Sequence, residues 1–555
     1  MMQNWQRVWV TIAGSIMLLS LLAACGPTAG GSTGGTIKNG GSIIDVFQQE
    51  PDTMLPGFTS STFAVMAQTA IWAPLYYADN QSAFHAGIAT QVPTIENGGV
   101  SSDLKTLTVT LRSGLKWSDG TPITSDDCVF TYNLFANPAA TSLGFPLATA
   151  KDPIGFDSAT AVDTKTFKVT FRKAAASIVS RLVDAQFTCL PKEVFGSIAA
   201  SDVKQSSEAT KPTVTSGPFT VSERVKGDHI TLKRNPNYYQ PGLPHLDQIN
   251  IKIITDQSTI LTAYQSGTAD TGWFLDSTKI DSYKALTGYT QGVDRGAGYE
   301  LLNFNLRNPI LADLKVRQAL TMSIKPSDLY DRVYHGVAQA TCDNHYGNFA
   351  HEDNLTCYTY DPTAAGALLD GDGWTMGSDG YRHKAGQTLE LNYVTTTKAA
   401  RKDTQVIFQD AWKKVGIKVN TSNLLSQNYF GSSGALCKGQ YDIGEYASGG
   451  NYDPDDHNSW VTGQDCAHGG GNYGGYSNAT VDAAEVTQLG TLDVNARKAA
   501  FHTIHAQIIA DLPVMYLFVA KNIWVHNNHL HNYDPSPLGG SETWNVWDWY
   551  RDDVR

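Results

Sequence analysis

An apolar run at the start of the chain decides where the rest of it has to fold. Residues 8–24 read VWVTIAGSIMLLSLLAA behind a short start that carries Arg7. The run is short for a membrane span. Its order of charged start, apolar centre and small residues is that of a secretory signal peptide. It ends in Leu22-Ala23-Ala24-Cys25, which looks like a bacterial lipobox, where the cysteine sulfur receives a diacylglycerol and becomes the new N-terminus. The bland alternative is an ordinary cleaved signal with a coincidental cysteine. Residues 26–41, GPTAGGSTGGTIKNGG, hold no core-forming pattern and read as a flexible tether. A single acyl chain anchors only marginally, and a lipobox supplies more than one. The expectation is a signal peptide over 1–24, lipidated Cys25 with a tether over 25–41, and a monomeric body held on the outer face of a bacterial cell membrane.

The chain has 555 residues, 41% of them hydrophobic, which excludes a disordered chain and gives ample core. Only 17% are charged, against about a quarter in an average protein. The net charge of -12 argues against nucleic acid, whose binders present a basic face, and against a polybasic grip on anionic lipid. After the first run, residues 504–519 come nearest to a membrane span, and His505, Asp511 and Pro513 interrupt them.

Besides Cys25 there are six cysteines: Cys128, Cys189, Cys342, Cys357, Cys437 and Cys466. Export permits disulfides, but six cysteines allow 15 pairings and the sequence does not choose among them. Neighbour pairing is the economical assignment. Cys342 with Cys357 and Cys437 with Cys466 would each close a polar loop, and Cys128 with Cys189 would join a helix to a strand end. Zinc is the competing reading for Cys342, His345, His351 and Cys357, although their spacing matches no common finger. His526, His529 and His531 read as a solvated strand-to-loop segment. No metal site and no cofactor is assigned.

Residues 104–111, 166–171, 229–232 and 249–254 alternate with period two and read as strands. Residues 125–135, 313–324, 399–415 and 497–510 read as helices. The first has Ser125 as its cap and two aspartates in its first turn, and the third stops at Gly416. This mixture without a strict repeat indicates an α/β fold with mixed sheets. Catalytic signatures are weak. Ser-x-x-Lys occurs at Ser102/Lys105, Ser113/Lys116 and Ser201/Lys204, as chance provides, and there is no G-x-S-x-G, H-E-x-x-H or P-loop. Asp453, Asp455 and Asp456 could supply a secreted glycosidase with paired carboxylates, or could be an acidic turn. An aromatic-rich body without a catalytic signature suits holding a ligand.

Several segments together carry a resemblance. Residues 111–135 read LRSGLKWSDGTPITSDDCVFTYNLF, and residues 216–247 read SGPFTVSERVKGDHITLKRNPNYYQPGLPHLD. Then follow AYQSGTAD at 263–270, LNFNLRNPILADLKVRQALTMSI at 302–324, VYHG at 333–336, DLPV at 511–514 and WNVW at 544–547. In this order they resemble bacterial extracellular solute-binding proteins, family 5, the oligopeptide, dipeptide and nickel type. The resemblance spans nearly the whole mature chain. It implies a two-lobed periplasmic-binding-protein-like fold (type II, with an extra subdomain) and a cleft between the lobes. Lobe I would be residues 42–298 with an inserted subdomain at about 80–200, lobe II residues 299–524, and 525–555 a return to lobe I. It implies solute capture by hinge closure, with the Gly296-Ala297-Gly298 region and residues 521–525 as pivots, and delivery to the permease of an ABC transporter. No enzymatic activity is implied.

In peptide-binding relatives an aspartate shortly before a turn in the second lobe pairs with the peptide's free amine. The matching positions here are Gly450 or Asn451, neither acidic, and Asp453 could substitute only by a shift of register. What remains is aromatic and neutral: Trp273 and Phe274 after the Gly-x-x-Asp motif, Tyr446, Asn451 and Tyr452 from the second lobe, and Phe58 from the first. Such faces suit neutral peptide backbone or sugar. A peptide or peptide-like solute is the first expectation, an oligosaccharide or other neutral solute the second, and nickel or a metal chelate a distant third.

Overall fold

Two mixed sheets organise the chain, and the backbone passes between them twice. The computed structural model describes residues 37–555 except 60, 141–153, 184–186, 357–358, 431–432, 451, 469, 539–540 and 554–555. The expected signal peptide and Cys25, and also Cys357 and Asn451, therefore lie outside the described residues. The first sheet has seven strands in the spatial order Tyr289–Val293, Ile523–Asn527, Thr271–Leu275, Ser42–Phe47, Gln248–Ile253, His229–Arg234 and Phe219–Val225. Ser42–Phe47 is parallel to both of its neighbours, and the other pairs are antiparallel. The second sheet has six, in the order Ala338–Gln339, Val514–Ala520, Tyr299–Phe304, Ile443–Ser448, Glu390–Thr396 and Lys418–Leu424. A smaller antiparallel sheet of Thr106–Thr110, Thr166–Phe171 and Phe156–Ala161 lies in the stretch expected as an insertion.

The period-two segments and the helical segments fold as their patterns dictate, with ends displaced by a few residues. The helix Ser125–Ala136 is capped one residue earlier than expected, because Asp127 Oδ2 accepts from the Thr124 backbone N–H at 2.8 Å. The last long helix is Val494–Asp511, opened by Asp493 accepting from the Ala496 N–H and closed by Leu512 in the left-handed region ahead of Pro513. The return strand begins at Ile523, two residues ahead of the expected 525.

The signature motifs are structural. Asn235 accepts from the Asn237 N–H at 2.9 Å and donates to Gly217 O at 2.8 Å, and Asn237 reaches across to Ser118 O at 3.0 Å. The Trp117-Ser118-Asp119-Gly120 and Asn235-Pro236-Asn237 turns are thereby pinned to each other. Asp270 of the AYQSGTAD motif accepts from the Ile44 N–H at 2.9 Å and from the buried Arg551 guanidinium at 2.6 Å, which ties the C-terminal end to the central strand. The apolar core is continuous between the sheets: Val46, Leu275 and Ile523 share one cluster with Leu302, Leu517 and Phe518.

Cys128–Cys189 and Cys437–Cys466 are disulfides, as neighbour pairing expects. Cys342 is also disulfide-bonded, so it is not a zinc ligand. Removing the Cys437–Cys466 bridge, 29 residues apart in sequence, frees a long loop in the unfolded chain. Denaturant unfolding of the Cys437→Ala/Cys466→Ala protein is expected to show a loss of about 3 kcal/mol.

Beneath the first sheet, Glu542 is fully buried against the Tyr533 hydroxyl and Thr271, and the Asp45 carboxylate is fully buried close by. Burial pushes the Glu542 carboxyl up to about 8. Burial, and then the charge of Glu542, raises Asp45 well above the carboxylate range. The folded protein therefore holds a proton on Glu542 that the unfolded chain releases above the ordinary glutamate value. Stability from this group falls as pH rises toward 8, by about 1.4 kcal/mol per pH unit at the steepest. Glu542→Gln is expected to flatten the decline between pH 5 and 8 and to be the more stable protein at pH 8, read by urea midpoints at both pH values.

Candidate functional site

The site grows from the two crossings between the sheets. Asp294 ends the first sheet's edge, and its carboxylate takes four donors. Oδ1 accepts from Gly296 N at 2.9 Å and Asn522 N at 3.0 Å, and Oδ2 from Asn522 Nδ2 at 2.8 Å and Trp273 Nε1 at 3.0 Å. Burial raises its carboxyl above the ordinary value, yet four N–H donors are compatible only with an acceptor. The outgoing strand from residue 294 and the returning one at 522 are thus held by one side chain. Gly296 stands at φ +75° with Val519 Cγ1 2.6 Å from where a Cβ would sit. At Gly450 an added Cβ would meet the Ala297 carbonyl oxygen at 2.6 Å, so the chain at 449–450 can lie against the crossing only without a side chain.

Beyond the crossing, one loop of the second sheet's half meets the first. Tyr452 donates to Leu538 O at 3.1 Å and packs edge-on against Phe84 at 6.1 Å between ring centroids. Ser177 donates to Asp455 at 2.6 Å, and Arg181 lies 3.6 Å from the same carboxylate. Burial would raise Asp455, but His457, Arg181 and Ser177 outweigh it and hold the carboxyl well below the usual range. Ser82 donates to Gly347 O at 3.3 Å. A cavity of about 140 Å³ opens beside this loop, lined by Tyr299, Asn344, His345, Ser448, Gly449 and Asp453 among others.

The expected lining residues separate into two groups. Phe58 is fully buried, packing edge-on against Phe135 at 6.0 Å, and Trp273 is fully buried with its indole N–H spent on Asp294. Neither presents a face to a solute in this conformation: both belong to one buried apolar cluster. Phe274 and Tyr446 are half-buried. Phe274 stands at φ +59° at an irregularity in strand pairing, which turns it out of the alternation that buries Trp273. Tyr446 packs against Tyr473 at 5.7 Å and Phe430 at 6.2 Å. Asp453 is gripped by both Arg497 amino groups, at 2.6 and 2.8 Å. Asp456 accepts from Trp460 Nε1 at 2.6 Å and Asn344 Nδ2 at 2.8 Å. With Asp455 also paired, the three acids considered for glycosidase chemistry are each engaged by protein donors.

The aromatic neighbours of Tyr446, and Arg497 as the partner of Asp453, were missed in the sequence. Arg497 lies 44 residues beyond Asp453, and no spacing rule joins them.

Residues 85–470 match the family model described as bacterial extracellular solute-binding proteins, family 5 Middle. A probable ABC transporter-binding protein from Deinococcus radiodurans is 29% identical over 70% of this chain and 69% of its own. The oligopeptide-binding protein AppA from Bacillus subtilis is 23% identical over 96% and 97%. The solved structure of AppA with a nonapeptide superposes with a TM-score of 0.74 at 20% identity, over 93% of this chain and 100% of that one. NikZ from Campylobacter jejuni, solved in complex with Ni(L-His), gives 0.75 at 22%, over 92% and 99%. The fold is thus the two-lobed α/β fold of these proteins, which serve transport by binding and are not enzymes. Together with the match over most of its length, this makes the chain a member of the bacterial extracellular solute-binding proteins, family 5.

Proposed function

We propose that this protein captures a peptide or peptide-like solute between its two lobes and passes it to the permease of an ABC transporter, from an anchor at lipidated Cys25 on the outside of the cell membrane. The lobes are residues 42–298 with the return from Ile523, and the residues between, and closure turns about the crossings at 294–298 and 520–523. Peptide is supported by the relatives whose names carry it, AppA and the Lactococcus lactis oligopeptide-binding protein OppA, 27% identical over 76% of this chain. The observation that carries the finer reading is the Arg497–Asp453 pair. The one acid near the turn that could meet a peptide amine already has a bidentate guanidinium partner. Recognition then rests on aromatic faces, Phe274 and Tyr446 with Tyr452, and on hydrogen bonds to the peptide backbone, so an uncharged N-terminus is accepted.

Mass spectrometry of the solute that co-purifies from the native host identifies its class, and an oligosaccharide there would replace the peptide reading. Calorimetric titration with a peptide so identified, free or N-acetylated, is expected to give dissociation constants within about threefold of each other, a gap below 1 kcal/mol. A loss of tenfold or more on acetylation would sink the neutral-terminus reading. Phe274→Ala is expected to weaken binding by about tenfold, the 1–2 kcal/mol of one aromatic contact, with the unfolding midpoint little changed. Phe58→Ala lowers the midpoint instead, since it empties core. For the anchor, metabolic labelling with palmitate is expected to mark the wild type and not Cys25→Ser.

A further inference from the structure

Two histidines far apart in sequence meet under the loop that joins the halves. Asp343 is fully buried, and its Oδ1 accepts from the His345 backbone N–H at 2.8 Å, which turns the chain so that the His345 ring enters the interior. The helix Val494–Asp511 brings His505 to the same place, with Phe501 packed on the His345 ring at 4.8 Å between centroids. His345 Nδ1 and His505 Nε2 are 2.7 Å apart. Both rings are buried.

The outer nitrogens fix the protonation. His345 Nε2 lies 2.9 Å from Pro454 O and 3.4 Å from Asp456 Oδ2, and both oxygens accept, so Nε2 carries a hydrogen. His505 Nδ1 lies 2.6 Å from Glu352 Oε1. A carboxylate oxygen accepts, so Nδ1 carries a hydrogen. With hydrogens on both outer nitrogens, neutral rings would leave lone pairs on both inner nitrogens, pointing at each other across a hydrogen-bond distance. Such a pair is stable only with a cation between its members. Asp343 supplies a negative oxygen to the same space: the ligand atoms of Asp343, His345 and His505 all lie within 4.8 Å of one another. A backbone carbonyl on one outer nitrogen and a carboxylate on the other is the arrangement that sets the tautomer of metal-bound histidines.

We propose that Asp343, His345 and His505 form a binding site for a divalent transition metal of the zinc class, held by His345 Nδ1, His505 Nε2 and an Asp343 oxygen. Two imidazoles and a carboxylate are a zinc donor set, and metal–nitrogen bonds of about 2.0–2.1 Å place tetrahedral donors about 3.3 Å apart. The inner nitrogens therefore open by about half an ångström on loading, while Asp343 closes in. A cavity lined by His345 and Asn344 adjoins the group. Cysteine takes no part, since Cys342 is disulfide-bonded. The site differs from the solute's place, because its metal would be resident and buried within the second lobe. Its effect reaches the lobe contact: His345 holds Pro454 O, and the next residue, Asp455, meets Ser177 and Arg181.

The test is metal content. The folded, oxidised mature chain is stripped with a chelator, loaded with zinc, desalted and analysed by inductively coupled plasma mass spectrometry. The wild type is expected to keep about one zinc per chain, and His505→Ala and Asp343→Asn to keep less than about a tenth. His529→Ala/His531→Ala, which removes an exposed group beside Asp552, keeps the full amount. Cobalt in place of zinc gives the wild type the visible absorption of a four-coordinate nitrogen–oxygen site, a readout that needs no variant to fold. A wild type that holds no zinc after desalting, or zinc retained equally by Asp343→Asn, overturns the proposal. The cation between the rings is then a shared proton.

Discussion

The two crossings that join the halves of this protein converge on the Asp294 carboxylate. Four N–H groups from three segments point at its two oxygens: Trp273 from the first sheet, Gly296 from the outgoing crossing, and the backbone and side chain of Asn522 from the returning one. The buried Trp273 and Gly296 donors would be left without a partner if the carboxylate were absent, and each such orphan costs about 1–3 kcal/mol. One side chain thus fixes the separation of the crossings while leaving each strand free to begin its own sheet. Gly296 and Gly450 complete the arrangement by letting backbone approach backbone where a Cβ would collide. Closure about this point, as proposed, needs only a few φ/ψ values to change, since the sheets on either side are rigid.

Much of the fold was legible because its signals are local. Alternation over 166–171 fixes a strand, and the aspartates and Thr124 at the head of 125–136 fix a helix start, wherever in space those elements end up. The family motifs were legible for a related reason. Trp117-Ser118-Asp119-Gly120 and Asn235-Pro236-Asn237 are turns whose side chains satisfy nearby backbone groups, so their chemistry is written in consecutive residues. Cysteine pairing followed economy, and Cys128–Cys189 and Cys437–Cys466 obey it.

The site was less legible, and the reason is burial. Phe58, Trp273 and Phe274 are equivalent as letters. Strand alternation and one irregular pairing decide that Trp273 faces inward and Phe274 turns out, and only the assembled sheet sets that irregularity. Trp273 was singled out for its position, but what it does is donate to Asp294. Partnerships were harder still. Asp453 with Arg497, and His345 with His505, are separated by 44 and 160 residues. They meet because the helix Val494–Asp511 lies beside the loop at 452–459, a fact of packing that no spacing encodes.

The low charge of the chain takes its meaning from those partnerships. In the loop that meets the first lobe, Asp453 is bound to Arg497, Asp455 to His457, Ser177 and Arg181, and Asp456 to Trp460 and Asn344. A carboxylate committed in this way has little left to offer a solute. To meet a charged amine it would have to abandon a hydrogen-bonded cation in a buried setting, and breaking such a pair costs about 3–5 kcal/mol. A new ion pair with the solute would return little more than was lost. Aromatic faces and backbone amides need break no ion pair to meet a solute. The proposed preference for neutral solutes follows from acids that already hold their own loop.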